Sequence, residues 1–280
     1  MTTDFLETMA AGSRARAQAT LQACPDRELL ARALDTAPPP PLRRDPAGFD
    51  LIAELKLRSP AVGQLKSADE DVGARVLGYA RAGAAAVSVL TEPTRFDGCL
   101  AHLEEATRVL TPARVPAMRK DFLVDPCQVS EARLAGAGGV LVIVRMLSGE
   151  ALEALLERAA RLGLFVLLEA FDAPDIERLH GILARHCGSG LELLAGLNCR
   201  DLTTLQIVPQ RLIELAHMLP TRAPRVAESG VLSAADAGRV AAAGYELALV
   251  GSALMQGGDP SALAGAMLAA GRAARVPHVD

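Results

Sequence analysis

Glu54 and Lys56 are the first residues of this chain whose types and spacing suggest chemistry. They belong to the stretch DLIAELKLRSPAVG, residues 50–63, which begins as an apolar run and reaches a proline at Pro60. The apolar run predicts a buried strand, and residues two apart on a strand point to the same face. A charged pair on one face of a buried strand is costly unless that face lines a site. The stretch therefore predicts a functional site at the end of this strand.

Polar and charged residues also follow other predicted strands, at the point where each strand ends. In chain order these residues are Thr91, Glu92, Arg119, Lys120, Asp121, Glu169, Asn198, Arg200 and Glu228. Barrels of parallel strands place their catalytic groups at these carboxyl ends. A single such residue is as readily a solvated loop residue, but so many together predict one site for acid–base chemistry. We interpret Glu92, Arg119 and Asp121 as candidates for structural ion pairs and assign them no catalytic role.

The elements that would position these residues repeat a short apolar strand, a polar loop and an amphipathic helix. Strands are predicted at 50–55, 86–90, 114–118, 139–144, 164–168, 193–197, 225–227 and 247–250. Helices are predicted at 69–82, 99–110, 126–135, 148–162, 174–185, 209–219 and 233–243. Eight strands alternating with helices predict an α/β fold, the (β/α)8 TIM barrel. A doubly wound sheet is the competing fold, but no GxGxxG follows the first strand.

The chain before residue 49 is predicted to be an N-terminal helical extension. Apolar residues recur at helical spacing near its start, and Pro25 divides it into two helices. A run of four prolines at 38–41 then ends the helical segment. We therefore predict that residues 1–48 form an extension that packs on a catalytic barrel formed by residues 49–280, within one structural domain.

The last two predicted strands are followed by Glu228-Ser229-Gly230 and by Gly251-Ser252. Loops after the last two strands of a TIM barrel, together with a short extra helix, commonly bind phosphate. Glycine lets the backbone approach a phosphate oxygen closely, although it also occurs in ordinary turns. A phosphate site beside lysine and glutamate groups predicts a small phosphorylated substrate.

Composition excludes several other classes of function. The net charge is −4 and aromatic residues make up 3% of the chain, so neither a basic stripe nor a stacking surface for nucleic acid is expected. The five histidines form no HExxH or other metal-binding spacing, so no metal is expected. The five cysteines include no CxxC, and neither a signal peptide nor a membrane-spanning run is found. We expect a cytoplasmic protein with reduced thiols and no membrane partner.

Taken together, the motifs resemble those of the indole-3-glycerol phosphate synthase family. The similar segments are AELKLRSPAVG, AVSVLTEPTRFDG, MRKDFLVDPCQVSEARLAGA, VLVIVRML, LLEAFD, GLNCRDLTTL, VAESGV and LVGSALM, in order from about residue 50. The resemblance implies a carboxy-lyase of tryptophan biosynthesis. Its substrate would be 1-(2-carboxyphenylamino)-1-deoxyribulose 5-phosphate, which condenses and loses CO2 and water without cofactor or metal.

The resemblance also implies catalytic roles for individual residues. Lys120 resembles the general acid that activates the substrate carbonyl, and Glu169 resembles its acid–base partner in the dehydration. Lys56 resembles the lysine near the substrate carboxylate and phosphate, which shares in proton transfer. Glu54 and Asn198 resemble residues that orient the substrate and stabilise a cationic intermediate. A third active-site carboxylate is implied at Glu228.

Further residues are implied to bind the substrate. The arginine on the substrate side would be Arg200. The phosphate site and its neighbours would be Ser59, Ser229, Gly230, Gly251 and Ser252. The pocket for the anthranilate ring would be walled by Phe96, Phe122, Leu141, Leu202 and Leu205. For the leucines, plain core packing is an equally good interpretation.

Two positions depart from the family pattern, and alternatives remain. Ala61 stands where a second serine is usual, and Cys199 stands where asparagine or serine is common. These departures leave room for a paralogue with the same chemistry in a secondary indole pathway. Another phosphate-binding barrel isomerase and a non-catalytic scaffold are further alternatives, although the retained charges argue against a scaffold. We expect a monomer, with a weak homodimer as the alternative.

Overall fold

Eight parallel strands close into a barrel in the computed structural model, which describes residues 5–59, 63–65, 71–201, 204–255 and 259–275. The barrel strands are β1 (Asp50–Leu55), β4 (Ala86–Leu90), β5 (Ala117–Lys120), β6 (Gly139–Ile143), β7 (Phe165–Ala170), β8 (Leu193–Asn198), β9 (Arg225–Glu228) and β10 (Leu247–Val250). They follow one another around the barrel in chain order, and β10 pairs with β1. The predicted TIM barrel is confirmed.

Helices alternate with the barrel strands along the chain. They are α3 (Val72–Arg81), α4 (Pro93–Phe96), α5 (Leu100–Leu110), α6 (Pro126–Leu134), α7 (Gly149–Leu162), α8 (Ala173–Arg185), α9 (Gln210–Glu214), α10 (Ala234–Ala242), α11 (Ser252–Met255) and α12 (Pro260–Ala274). Polar caps set several starts: Asp125 and Gln128 form a capping box at α6, and the Ser148 side chain accepts from the amide of Ala151 at α7.

The third predicted strand, at 114–118, was placed three residues too early. Arg114 has φ 58, in the left-handed region of a turn, and Pro116 has no amide with which to donate to the ladder. The strand therefore begins at Ala117, and Arg119 and Lys120 are strand residues rather than loop residues.

Some other elements differ from the prediction or were not predicted. The helix expected at 209–219 is the short α9 followed by a 3-10 turn, Ala216–Met218. The helix expected from 69 begins at Val72, with Asp71 as its N-cap. No prediction covered α4, the long α12, or the two-residue strands β2 (Arg58–Ser59) and β3 (Gly63–Gln64), which pair with each other.

The N-terminal segment forms α1 (Phe5–Ala23) and α2 (Asp26–Leu34), which meet at Pro25, the N-cap residue of α2. Polar contacts attach α1 to α6 and α2 to α7, two helices of the barrel. Ser13 Oγ accepts from Gln128 Nε2 at 2.8 Å, and Arg158 binds both carboxylate oxygens of Asp26, at 2.9 and 2.7 Å. Because α1 ends at Ala23 and α2 begins at Asp26, the predicted division of the segment at Pro25 is confirmed.

The barrel interior is filled by apolar side chains toward the amino ends of the strands and by polar side chains toward their carboxyl ends. One buried apolar cluster includes residues on alternate strands, namely Ile52, Met118, Leu167 and Val226. Side chains two apart on a strand share a face, so the residues two positions later point the same way. Those residues are Glu54, Lys120, Glu169 and Glu228. Alternate strands supply one layer of a TIM barrel interior, so these four charged residues form its top layer.

Candidate active site

A cavity opens at the carboxyl ends of the barrel strands and holds about 1020 Å³, including space open to solvent. The predicted site residues that line it are Glu54, Lys56, Ser59, Phe96, Lys120, Phe122, Leu141, Glu169, Asn198, Arg200, Leu205, Glu228, Ser229, Gly230, Gly251 and Ser252. Only Leu202 of the predicted set is missing from this lining, because it lies outside the described residues. Residues as far apart in the sequence as Glu54 and Ser252 therefore line the same cavity.

Lys120 stands between two buried carboxyl groups. Its Nζ is 3.1 Å from Glu169 Oε1 and 3.5 Å from Glu228 Oε2. Burial lowers the pKa of Lys120, but the nearby charges of Glu169, Glu228 and Glu54 outweigh it, so the pKa is raised above that of an ordinary lysine. Lys120 is therefore a charged ammonium at neutral pH, able to donate a proton to an oxygen placed against it.

Glu169 and Glu228 have opposite protonation behaviour. Burial and the charge of Glu169 raise the pKa of Glu228 well above its usual value. Burial also acts to raise the pKa of Glu169, but Lys120 and a hydrogen bond from Glu228 outweigh it, so that pKa is lowered. Asn198 Nδ2 also donates to Glu169 Oε1 at 2.9 Å. The ionised form is therefore favoured at Glu169 and the protonated form at Glu228.

The predicted same-face arrangement of Glu54 and Lys56 is present in the structure. Lys56 Nζ lies 2.6 Å from Glu54 Oε1, and both side chains are buried. This second lysine–carboxylate pair faces the same cavity as Lys120, so the site contains two ammonium groups and three carboxyl groups.

Two glycines make room for the carboxyl groups. A methyl group at Gly196 would lie 2.2 Å from Glu228 Oε1, and one at Gly251 would lie 2.3 Å from Glu54 Oε1. Any side chain at either position would displace the carboxylate beside it. Gly251 was expected at the phosphate site and Gly196 was not expected to matter, since no sequence pattern shows which side chain lies over a strand glycine.

The loops after β9 and β10 meet at one edge of the cavity. Ser229 and Gly230 both have positive φ, at 65° and 71°, which turns the chain sharply just after Glu228. The short helix α11 begins at Ser252, directly after β10 and Gly251. Ser59, which is buried, lines the same cavity. Small residues and hydroxyl groups thus face the cavity here, a composition suited to an anion.

The opposite wall of the cavity is aromatic. The Phe122 ring contacts Phe96 at 6.1 Å between centroids, and it meets Phe5 edge-on at 5.9 Å and 77°. Phe5 and Leu6, from α1, line the cavity as well. The helical spacing of these residues was interpreted only as packing, because nothing in a sequence shows that the first turn of an added helix reaches across the barrel mouth. Phe171 and Ile143 also line the wall and were not predicted.

Three polar residues near the site form structural contacts, as interpreted from the sequence. Glu92 caps α4 by accepting from the amides of Thr94 and Arg95. Asp121 Oδ2 accepts from the Thr91 hydroxyl at 2.8 Å and contacts Arg119 at 3.3 Å. From α1, Arg16 Nη2 donates to Asp121 Oδ1 at 2.6 Å.

Cys199 is a buried packing residue at the end of β8. Its Sγ lies so close to Gly230 that a methyl group on that glycine would be 2.9 Å away. Burial raises the pKa of the Cys199 thiol to about 11, so it is not a thiolate at neutral pH. The other departure from the family pattern, Ala61, lies outside the described residues.

In the part of the chain that the structure describes, no group of three or more His, Cys, Asp or Glu residues is arranged to hold a metal ion. Nor does any helix in that part have the length and apolar character needed to cross a membrane.

Sequence comparison identifies close relatives. The model of the family described as indole-3-glycerol phosphate synthase matches residues 13–266. The indole-3-glycerol phosphate synthase of Parafrankia sp. (strain EAN1pec) is 42% identical over 230 residues, which cover 81% of each chain. That of Micrococcus luteus is 43% identical over 218 residues, which cover 78% of this chain and 77% of the relative.

Solved structures show the same architecture at low identity. The 3-hexulose-6-phosphate synthase from Salmonella typhimurium superposes with a TM-score of 0.61 at 14% identity, covering 81% of this chain and 100% of that one. A tryptophan synthase from M. tuberculosis gives 0.54 at 17% identity, covering 82% and 94%. At such identities the likeness shows the fold alone.

Proposed function

The chain belongs to the indole-3-glycerol phosphate synthase family, and on that premise we propose how its own residues perform the reaction. The substrate is 1-(2-carboxyphenylamino)-1-deoxyribulose 5-phosphate, and the product is indole-3-glycerol phosphate, formed with loss of CO2 and water in tryptophan biosynthesis. The observation that carries the proposal is the position of Lys120, which is buried between Glu169 and Glu228 at the mouth of the barrel.

The cavity binds the two ends of the substrate on opposite walls. The phosphate lies against the loops after β9 and β10, where the residues Ser229, Gly230, Gly251 and Ser252 line the cavity. The anilino ring lies against the aromatic wall around Phe122, since apolar pockets with a few placed polar groups are typical of small-molecule sites.

Polar side chains hold the centre of the substrate. We assign Lys56 to the carboxylate of the substrate, because it is the second lysine in the cavity. Arg200 lines the cavity from the loop after β8, where Nη1 donates to the carbonyl of Leu205 at 2.7 Å, and we place it beside the substrate. Ser59, which follows β1, is placed at the phosphate beside the loop after the neighbouring strand β10.

Ring closure begins with proton donation by Lys120. The ring carbon that bears the carboxylate attacks the ketone carbon, and the carbonyl oxygen takes a proton from Lys120 as the new C–C bond forms. The resulting cationic ring is stabilised by the carboxylate of Glu54 and oriented by Asn198. The carboxylate then leaves as CO2, and the electrons of the broken C–C bond restore the aromatic ring.

Dehydration completes the pyrrole ring. The hydroxyl group left by the ketone departs as water after it takes a proton, while a base removes a proton from the neighbouring carbon so that the double bond forms. Glu169 is the base, because its pKa is lowered by Lys120, which lies 3.1 Å away. Lys56, paired with Glu54 at 2.6 Å, shares in supplying the proton to the leaving hydroxyl.

One experiment tests the reaction. The purified protein is mixed with the substrate, and indole fluorescence, CO2 release and product mass are followed together. We expect one CO2 per indole-3-glycerol phosphate formed. A protein that binds the substrate without releasing CO2 would contradict the proposal. Growth of a tryptophan auxotroph carrying this chain then tests the place of the reaction in tryptophan biosynthesis.

We also propose that the enzyme works in the cytoplasm as a single chain. All the cysteines are free thiols, which suits a reducing compartment. Every residue to which the reaction assigns a role belongs to this chain and lines this cavity, which supports a monomer as the working unit. Light scattering at assay concentration tests this, and a dimer at that concentration would contradict it.

A further inference from the structure

Phe171 is a buried side chain of the cavity wall that the proposed mechanism does not use. It follows the last residue of β7, two positions after Glu169, and belongs to the same apolar cluster as Leu141 and Ile143. Its ring is therefore part of the surface against which a substrate ring packs.

Arg145 and Asp175 hold Phe171 in place from outside the cavity. The Arg145 guanidinium lies over the Phe171 ring, 5.1 Å from its centroid. Asp175 Oδ2 accepts from Arg145 Nε at 2.7 Å and from the Phe171 amide at 3.0 Å. One carboxylate oxygen thus fixes both the cation above the ring and the backbone that carries the ring.

The same arginine also contacts the start of α8. Arg145 forms an ion pair with Asp172, the N-cap residue of that helix. The guanidinium thus contacts the Phe171 ring, Asp175 and Asp172. The Asp172 side chain is 47% exposed and that of Arg145 is 29% exposed. Partly exposed ion pairs add little to stability, so stability alone does not account for the arrangement.

We propose that Arg145 is a positioning residue that fixes the Phe171 ring as a wall of the substrate's aryl subsite and so sets how tightly the ring is bound. This inference rests on the proposed function, because it takes the aryl group of that substrate as the occupant. Arg145 acts only through Phe171, by a cation–π contact and by the shared carboxylate of Asp175. It affects binding of the substrate more than the chemical step.

The test combines kinetics with binding in a double-mutant cycle. The variants are Arg145→Met, which keeps the apolar stem but removes the charge, Phe171→Leu, and the two combined. Arg185→Met is the matched control, because Arg185 pairs with Glu153 on the surface, away from the cavity. The probes are the substrate, for KM and kcat, and the substrate with its ketone reduced to an alcohol, which cannot cyclise, for Kd by calorimetry.

We expect each single variant to raise KM and Kd by about fivefold to tenfold, the range of a partly buried cation–π contact, with a much smaller change in kcat. The combined variant should be no weaker than the weaker single variant, because Arg145 acts through the ring. Arg185→Met should change none of these values. Arg145→Lys keeps the positive charge and should recover part of the affinity that Arg145→Met loses. If Arg145→Met does not fold, Arg145→Lys takes its place in the double-mutant cycle.

Two results would overturn the inference. One is an unchanged KM and Kd in Arg145→Met, and the other is a combined variant whose loss equals the product of the single losses. Failure of the proposed function is distinguishable, because wild-type protein would then bind the reduced substrate without turning over the substrate itself. Wild-type protein that neither binds nor reacts would remove both proposals.

Discussion

Lys120 and Glu169 come from β5 and β7, which are separated by β6, and yet their side-chain atoms Nζ and Oε1 lie 3.1 Å apart. Alternate strands supply one layer of the barrel interior, which is why residues 49 positions apart meet. Glu228 on β9 and Glu54 on β1 complete that layer. The charged top layer is therefore a consequence of strand register rather than of loop conformation.

The first prediction concerns Glu169 as the base. Glu169→Gln keeps the size of the side chain but cannot accept a proton. We expect kcat to fall by about a hundredfold to ten-thousandfold, the usual contribution of a general acid or base. Thermal unfolding should show an intact fold. A rate within a few-fold of wild type would show that another group takes the proton.

A second prediction separates Glu228 from Glu169. Burial and Glu169 raise the pKa of Glu228 and so favour its neutral form, which a glutamine amide imitates in charge and size. Glu228→Gln should therefore retain more activity than Glu169→Gln and more than Glu228→Ala. Equal losses in Glu228→Gln and Glu228→Ala would contradict a neutral Glu228.

The pH dependence of kcat/KM gives a further prediction, which follows from the raised pKa of Glu228. As pH rises through the raised pKa of Glu228, its proton is lost and a second negative charge appears beside Glu169, so kcat/KM should fall on the alkaline side. Lys120 remains charged there, because its own pKa is raised above that of an ordinary lysine. In Glu228→Gln this alkaline fall should move to higher pH. An unmoved alkaline limb would assign that titration to another group.

A third prediction concerns the room that Gly196 provides. A methyl group there would lie 2.2 Å from Glu228 Oε1, so Gly196→Ala must displace the carboxyl group. A displacement of about 1 Å costs about a hundredfold in rate, and we expect a loss of that size in kcat. Gly265→Ala is the control, because nothing lies within 4 Å of its added methyl group and alanine favours the helix. Full activity in Gly196→Ala would show that catalysis does not require the observed position of the Glu228 carboxyl group.

A fourth prediction concerns the attachment of α2. Hydrogen bonds from Arg158 lower the pKa of Asp26, so this pair stabilises the fold above the ordinary aspartate pKa of 3.8 and loses its effect as pH falls below it. Asp26→Asn should lower the free energy of unfolding at pH 7 by at most about 1 kcal/mol, because the Asp26 side chain is 45% exposed. Urea unfolding at pH 7 and in acid measures this.

The control for that measurement lies at the other end of the same helix. Asp35→Asn removes the same charge at the C-cap of α2, where a negative charge is unfavourable. It should leave the free energy of unfolding unchanged or slightly increase it. If the free energy of unfolding differs between wild type and Asp26→Asn by the same amount at pH 7 and in acid, the ion pair is not the cause of the difference.

Strand periodicity made most of the barrel predictable from sequence. The apolar runs of β1, β4 and β10 gave the observed bounds, because strands buried on both faces read as continuous apolar segments. The predicted start of β5 was wrong, since residues 114–116 contain a left-handed arginine and a proline, which a hydropathy pattern does not register. The long α12 was not predicted, although its spacing of alanine, leucine and methionine is helical.

Side chains that reach the site from elsewhere in the fold were the least predictable part. Phe5 and Leu6 line the cavity from α1, and Phe171 lines it from just beyond β7. Their apolar character is equally suited to a core, and only the path of the chain shows that they face the cavity. The room beside Glu228 is likewise a tertiary property, because Gly196 lies on a neighbouring strand.

The most direct test of the site is a single-turnover rate for Lys120→Met compared with wild type, followed by indole fluorescence with enzyme in excess of substrate. Methionine keeps the length of the side chain but carries no proton. We predict that the variant binds the reduced substrate, keeps its melting temperature, and forms indole-3-glycerol phosphate at least about a hundredfold more slowly. Product formation at the wild-type rate would contradict the assignment of Lys120 as the acid that starts ring closure.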